Sequence, residues 1–232
     1  MARGRQKALP NSTTKDVSFP QISRKQGLVA EHLDGPGIFQ VEGVLSAQEA
    51  GAFVKAAESI GFQHQASRGP KFGEAYRDNG RVGVDSPSLA DGLWEFGGLC
   101  QLFGNITVAG HRAVGLNPAI RFYKYEKGQR FGKHVDDSNP VARWPGSHTA
   151  YTLLVYLTGG HQSAGKQHST GGVLRGGQTV FYGNRGKQVA SVDPVAGRAL
   201  LHRHGDDCLE HEALEVTSGI KYILRSDVVF AA

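Results

Sequence analysis

Apolar and polar positions follow two different periods along the chain. Between residues 46 and 103 the period is helical. Ala50, Phe53, Val54, Ala57 and Ile60 share one face, the spacing of an amphipathic helix. Ser46 and Glu49 precede them as a capping box, in which the serine hydroxyl accepts the amide three residues on and the glutamate reaches back. Gly61 ends the helix. Ser86-Pro87 opens a second helix, with proline at its first position. Leu89, Leu93, Phe96, Leu99 or Cys100, and Phe103 form its predicted stripe. Residues 62–84 are polar, mixed and rich in Gly and Arg, and predict no regular element.

After about residue 115 the segments become short, β-branched or aromatic, and are parted by Gly, Asn, Asp and Pro. Residues 119–125 alternate, with Arg121, Tyr123 and Tyr125 on one face and Phe122 and Lys124 on the other. Further strands are expected over 131–135, 148–157, 178–182, 187–192, 198–202 and 220–230, and a short one near 37–41. Many short strands at close spacing predict a sandwich, jelly roll or barrel. The expected organisation is a flexible basic tail over 1–35, a helical and strand layer over 36–115, and a β core over 116–232, the last two forming one domain.

Composition narrows the picture. The 32 glycines are about double the usual share, and without a G-X-Y period they mean turns rather than collagen. No apolar run approaches the roughly 18 residues that would cross a membrane. Cys100 and Cys208 cannot build a disulfide framework, which fits a cytoplasmic or other reducing compartment. The first fifteen residues lack acid and carry Arg3, Arg5 and Lys7; they read as a solvated tail, with a cleavable transit segment as the alternative. Net charge is +5, so an anionic partner, nucleic acid included, stays open. Residues 158–177 form a long Gly-, Ser- and His-containing connection, read as either a tolerated insertion or a substrate-facing lid.

Candidate chemistry starts at His134-Val-Asp136. On a strand, positions i and i+2 face the same way, so an imidazole and a carboxylate can reach one ion. A second distant histidine would complete a 2-His-1-carboxylate facial triad, which leaves positions open on Fe(II). His148, His161, His168, His202, His204 and His211 are all candidates, and spacing does not choose among them. In the last strand Lys221, Ile223 and Arg225 share one face. Two inward cations would need an anionic partner, and a dicarboxylate would supply one.

The order of these pieces resembles the Fe(II)/2-oxoglutarate-dependent dioxygenase superfamily, in its prolyl 4-hydroxylase-like branch. Residues 121–125 and 128–136, Leu153-Leu-Val-Tyr-Leu157, Gly176-Gly-Gln-Thr-Val-Phe181, Val192-x-Pro194-x-x-Gly197, His211-Glu212 and residues 219–228 come in the family order. The resemblance implies a mainly β fold with flanking helices: a double-stranded β-helix, or jelly roll, under an N-terminal helical layer. It implies His134, Asp136 and His211 as Fe(II) ligands. It also implies Lys221 as the cation for the distal carboxylate of 2-oxoglutarate, with Arg225 sharing or taking over that role and Tyr125 donating a hydrogen bond. Thr179 is a weaker pocket candidate, and Tyr123 and Arg121 are expected to pack or to line the substrate side, with packing slightly favoured. His202 and His204 are expected to be strand-end or supporting groups rather than ligands. The implied reaction hydroxylates an unactivated C–H bond using O2, with decarboxylation of 2-oxoglutarate to succinate and CO2. The implied substrate is a peptidyl proline within a protein or peptide, and ascorbate is the expected helper. Two alternatives stand beside it: an oxidative demethylase of nucleic acid, and a non-catalytic cupin-like metal-binding module.

Overall fold

The computed structural model describes residues 18–160 and 172–231. In chain order the strands are β1 (Ala30–His32), β2 (Ile38–Val41), β3 (Gln63–Ala66), β4 (Asp78–Asp85), β5 (Thr107–Val108), β6 (His111–Leu116), β7 (Ala119–Tyr125) and β8 (Phe131–His134). They continue with β9 (His148–Tyr156), β10 (Arg175–Gly176), β11 (Thr179–Tyr182), β12 (Gln188–Val192), β13 (Ala199–Arg203), β14 (Glu210–Ala213), β15 (Val216–Ser218) and β16 (Lys221–Ala231). The helices are α1 (Ala47–Ile60), α2 (Pro87–Glu95) and α3 (Leu99–Leu102).

The large sheet runs β1-β2-β13-β9-β16-β7-β4-β3, with β6 also on β16 and β5 on β6. A second sheet runs β12-β11-β14-β8. All these pairings are antiparallel. Strand alternation then builds two cores. On one side of the large sheet Phe122, Leu153, Val155, Tyr222 and Leu224 pack with Phe53 and Ala57 of α1 and Leu89 and Leu93 of α2. On the other side Tyr123, Tyr125, Tyr156 and Ile223 pack with Phe131, Phe181 and Val192 of the second sheet. The result is three layers: helices, large sheet, small sheet. It is the mainly β jelly roll with flanking helices that the resemblance implies.

Helix α1 carries both halves of its capping box: Glu49 N donates to Ser46 Oγ at 3.1 Å and Ser46 N to Glu49 Oε2 at 2.6 Å. The second helix departs from expectation. It breaks at Gly97-Gly98 into α2 and α3, because Gly98 takes φ +79° and the chain turns. Phe96 leaves the stripe and is 38% exposed, with the Arg24 guanidinium 5.0 Å over its ring. Residues 62–84, read as featureless, form the β3–β4 hairpin that extends the large sheet. Their alternation is blurred because one face meets the site rather than a plain apolar core. Part of the tail expected through residue 35 is instead built into the fold. Phe19 stacks on Phe53 and Phe122 at 6.3 and 5.8 Å, and β1 pairs with β2. Arg3, Arg5, Lys7, His161 and His168 lie outside the described residues. Among the described residues no helix is long and apolar enough to cross a membrane.

One corner holds the helix layer to the large sheet. Gly197 has φ +87°, donates to Tyr156 O at 2.8 Å and accepts from Leu45 N at 3.2 Å. A Cβ there would sit 1.9 Å from Leu45 O. Gly197→Ala is therefore expected to cost about 2 kcal/mol or more, from the left-handed backbone and the forced displacement of the segment that leads into α1. Urea denaturation should show a lower midpoint with an unchanged slope.

Candidate metal and cosubstrate site

The pairing of β8 with β14 sets His134 directly opposite His211, with ring centroids 4.3 Å apart. β8 ends at His134, one residue short of the expected strand end, and Asp136 follows just past it. His134, Asp136 and His211 each offer one ligand atom, and these atoms lie within 4.8 Å of one another. The imidazoles are oriented by the backbone. His134 Nδ1 lies 2.8 Å from Gly132 O and His211 Nδ1 lies 2.9 Å from Leu209 O. A carbonyl can only accept, so each Nδ1 carries the proton and each Nε2 presents a lone pair. Those Nε2 atoms lie 3.9 and 3.7 Å from the Asp136 carboxylate. Burial pushes His134 down to about 3, and burial also lowers His211, so both rings stay neutral and able to bind a metal.

Asp136 is only 2% exposed. Burial alone would raise its pKa, but the Arg225 guanidinium and the neighbouring imidazoles hold it well below the usual carboxylate range. Arg225 Nη1 donates to Asp136 Oδ1 at 3.0 Å and Nη2 to Asp227 Oδ1 at 3.4 Å. Asp136 Oδ2 accepts from Thr152 Oγ1 at 2.8 Å. Behind it runs a directed chain. Thr149 Oγ1 lies 2.9 Å from His204 Nε2, and His204 Nδ1 lies 3.0 Å from Thr152 Oγ1. With Thr152 donating to Asp136, His204 Nδ1–H donates to Thr152 and the Thr149 hydroxyl donates to Nε2. His202 reaches the same cluster. Its Nδ1 contacts Arg203 O at 3.0 Å, and its Nε2, buried without a partner, is 3.8 Å from Asp136 Oδ2. His202, Cys208 and His211 form a second close set. Burial, then Asp136, pushes the Cys208 thiol up to about 12, so it stays protonated and is a poor ligand. The neutral-imidazole and carboxylate set suits a divalent iron better.

Lys221 is fully buried among the described residues and meets no carboxylate. Its ammonium donates to the Gly177 carbonyl and sits 5.3 and 5.6 Å from the Tyr125 and Tyr156 ring centroids. Gly177 cradles it: φ is +73°, and a Cβ there would touch Lys221 Cδ at 3.0 Å. Burial pushes Lys221 down to about 7 and pushes the Tyr125 phenol up, leaving a neutral donor. Tyr156 Oη donates to Thr179 Oγ1 at 2.7 Å. The site cavity is lined by Tyr123, Tyr125, Phe131, Leu154, Thr179, Glu212, Ala213 and Ile223 beside His134, His211, Asp136 and Arg225. Arg225, expected to share the role of Lys221, is instead tied to Asp136. Tyr123, expected to pack or to line the substrate side, lines the cavity. Thr152 was not visible in the sequence: it resembles any strand threonine until β9 is placed beside β16 and β13.

Residues 120–226 match the family model described as the 2OG-Fe(II) oxygenase superfamily. The chain carries this superfamily's domain over its β core. It is a 2-oxoglutarate-dependent dioxygenase, and this implies Fe(II) as cofactor and 2-oxoglutarate and O2 as cosubstrates. No curated protein sequence matches the oxygenase. Its fold is similar to that of solved prolyl hydroxylases. The viral collagen prolyl hydroxylase of Paramecium Bursaria Chlorella virus-1, in its 2OG complex, is 19% identical with TM-score 0.55, over 85% of this chain and 98% of that one. A Pseudomonas putida prolyl-4-hydroxylase is 17% identical with TM-score 0.53, over 84% and 94%. A Trichoplax adhaerens prolyl hydroxylase, solved with a hypoxia inducible factor oxygen degradation domain peptide fragment, is 17% identical with TM-score 0.52, over 83% of each chain.

Two outcomes follow from this geometry. Thr152→Val removes the donor to Asp136 and should weaken Fe(II) binding about tenfold, measured by calorimetry without oxygen. The second concerns Lys221. Its folded pKa lies below its unfolded value, so from about pH 7 to about pH 10 the unfolded chain binds a proton that the fold does not. Stability of the metal-free oxygenase should therefore rise with pH across that window. In Lys221→Met this contribution should vanish, leaving a protein more stable than wild type below about pH 7; denaturant titrations at both ends of the window check it.

Proposed function

We propose that this oxygenase hydroxylates prolyl residues in peptides, with Fe(II) held by His134, Asp136 and His211. The distal carboxylate of 2-oxoglutarate is assigned to Lys221, with Tyr125 as a neutral donor beside it. Bound Fe(II) and 2-oxoglutarate supply the oxidising power that puts one oxygen atom from O2 into an unactivated C–H bond, with release of succinate and CO2.

The character of the cavity wall carries the substrate reading. Tyr123, Phe131, Leu154 and Ile223 give it aromatic and aliphatic faces, and Glu212, the other acid that lines it beside Asp136, already accepts from Tyr182 Oη at 2.5 Å. That wall suits a saturated ring such as proline. A flipped nucleobase would need hydrogen-bonding groups for its Watson–Crick edge. The prolyl hydroxylases of similar fold support the same choice. The pairing of Lys221 rests on its burial: an inward cation with no carboxylate gains most from a dicarboxylate. Arg225 neutralises Asp136, Thr152 orients it, and the two backbone carbonyls hold the imidazoles in the binding tautomer. Ascorbate is the reductant proposed to sustain turnover in the test tube.

The test uses Fe(II), 2-oxoglutarate and proline-containing peptides. The expected result is succinate release coupled to peptides that gain one oxygen atom at proline. His134→Ala should lose both this activity and the visible Fe(II)–2-oxoglutarate charge-transfer band. Lys221→Ala should raise KM for 2-oxoglutarate by about tenfold or more, the loss of one charged hydrogen bond. A band in wild type without oxygen transfer to any proline peptide would remove the proline assignment.

A further inference from the structure

An arginine cluster stands beside the cavity and takes no part in holding the metal. Arg81 on β4 is the register partner of Tyr123 on β7, and Tyr123 is in turn the partner of Ile223 on β16. One step along, Arg121 lies between Gly83 and Arg225. These residues therefore share the inner face of the large sheet. Arg77, at the foot of the β3–β4 hairpin, bridges to Phe131 and lays its guanidinium 4.2 Å over that ring. Phe131 itself stacks on His134 at 3.7 Å. Arg77 is thus one ring away from a proposed metal ligand.

The cluster lacks counter-charges. The buried carboxylates within reach, Asp136 and Asp227, are both taken by Arg225. Asp78, next to Arg77 in sequence, pairs with His64 at 2.7 Å and accepts from Gln129 at 3.2 Å. Arg81 Nε is buried without a partner, and its Nη1 has only a 3.4 Å contact with Gln65. Among the described residues Arg77, Arg81 and Arg121 enter no ion pair. Gly83 leaves room beside Arg121: a Cβ there would meet nothing nearer than Ile120 O at 3.9 Å. The field is felt at Tyr123. Burial would raise its phenol, but Arg225, Arg121, Arg81 and Arg77 together hold it below its ordinary value.

We propose that Arg77, Arg81 and Arg121 form a carboxylate-binding subsite for the substrate, so that the oxygenase selects peptides with an acidic side chain next to the residue it oxidises. The peptide part rests on the function proposed above. Half-buried guanidiniums without carboxylates are costly to assemble, and an incoming carboxylate relieves that cost with charge-assisted, bidentate bonds. The three converge around one tyrosine instead of tracking along a surface. Convergence suits one anionic group; a phosphodiester backbone needs a row of cations.

The test reads binding without turnover. Full-length protein, loaded with Fe(II) and 2-oxoglutarate in the absence of oxygen, is titrated into a short fluorescent peptide with glutamates flanking one proline, and into its glutamine twin. Wild type is expected to prefer the glutamate peptide by about tenfold or more. Arg81→Gln and Arg121→Gln should each erase that preference, and Arg81→Lys should keep part of it. The Fe(II)–2-oxoglutarate band should be unchanged in all three and reports that each variant is folded. Should Arg81→Gln lose the band, Arg121→Gln and Arg77→Gln decide the matter alone. Equal affinity of wild type for both peptides would overturn the subsite. So would a loss confined to 2-oxoglutarate affinity, or displacement of the acidic peptide by a single-stranded oligonucleotide that binds more tightly. A glutamate preference with no proline oxidised leaves the subsite standing and removes the proline reading. Equal oxidation of both peptides with equal affinity does the reverse.

Discussion

A buried carboxylate organises this molecule. Asp136 sits 2% exposed between two sheets, and an isolated charge there would be prohibitive. Arg225 of β16 neutralises it and Thr152 of β9 donates to it, while the neutral rings of His211 on β14 and His202 on β13 stand 3.7 and 3.8 Å away. Loss of one partner from such a group typically costs about 3–5 kcal/mol, because the remaining charge stays buried. The jelly roll therefore closes around a charge as much as around an apolar core. The same closure places two neutral imidazoles beside the carboxylate, so the requirement of the fold and the geometry of the metal site coincide.

Lys221 shows the opposite arrangement. It is as buried as Asp136 but has only a carbonyl and two aromatic rings for company. Burial lowers its pKa to about 7, a cost the fold carries in the free state. Local rules broken without local compensation tend to mark functional positions. The three residues between Lys221 and Arg225 on one strand separate two kinds of cation. One is paired with carboxylates of the protein; the other meets no carboxylate among the described residues.

Much of the architecture was legible because strands β7, β9, β13 and β16 are buried on both faces or alternate cleanly. Residues 119–125 gave their strand to the residue, and Ser46 with Glu49 gave the start of α1. The β3–β4 hairpin was not legible. Its inner face bears Gln65 and Arg81 against the site, so polar residues occupy inward positions and the period of two disappears. The second helix misled for a different reason: its stripe continues through Phe96, but Gly98 at φ +79° turns the chain.

By itself the sequence determined the order of strands, the His-x-Asp pair and the cations of the last strand, since these depend on local spacing. The third ligand could be named among six histidines only through family resemblance. In space the β8–β14 register puts His211 opposite His134. Tertiary structure alone decided that Arg225 belongs to Asp136, that Thr152 and His204 support the carboxylate, and that Arg77, Arg81 and Arg121 meet around Tyr123. The reason is that spacing along a chain specifies which face a side chain takes. Which partner it meets there depends on segments distant in sequence, 89 residues apart for Arg225 and Asp136.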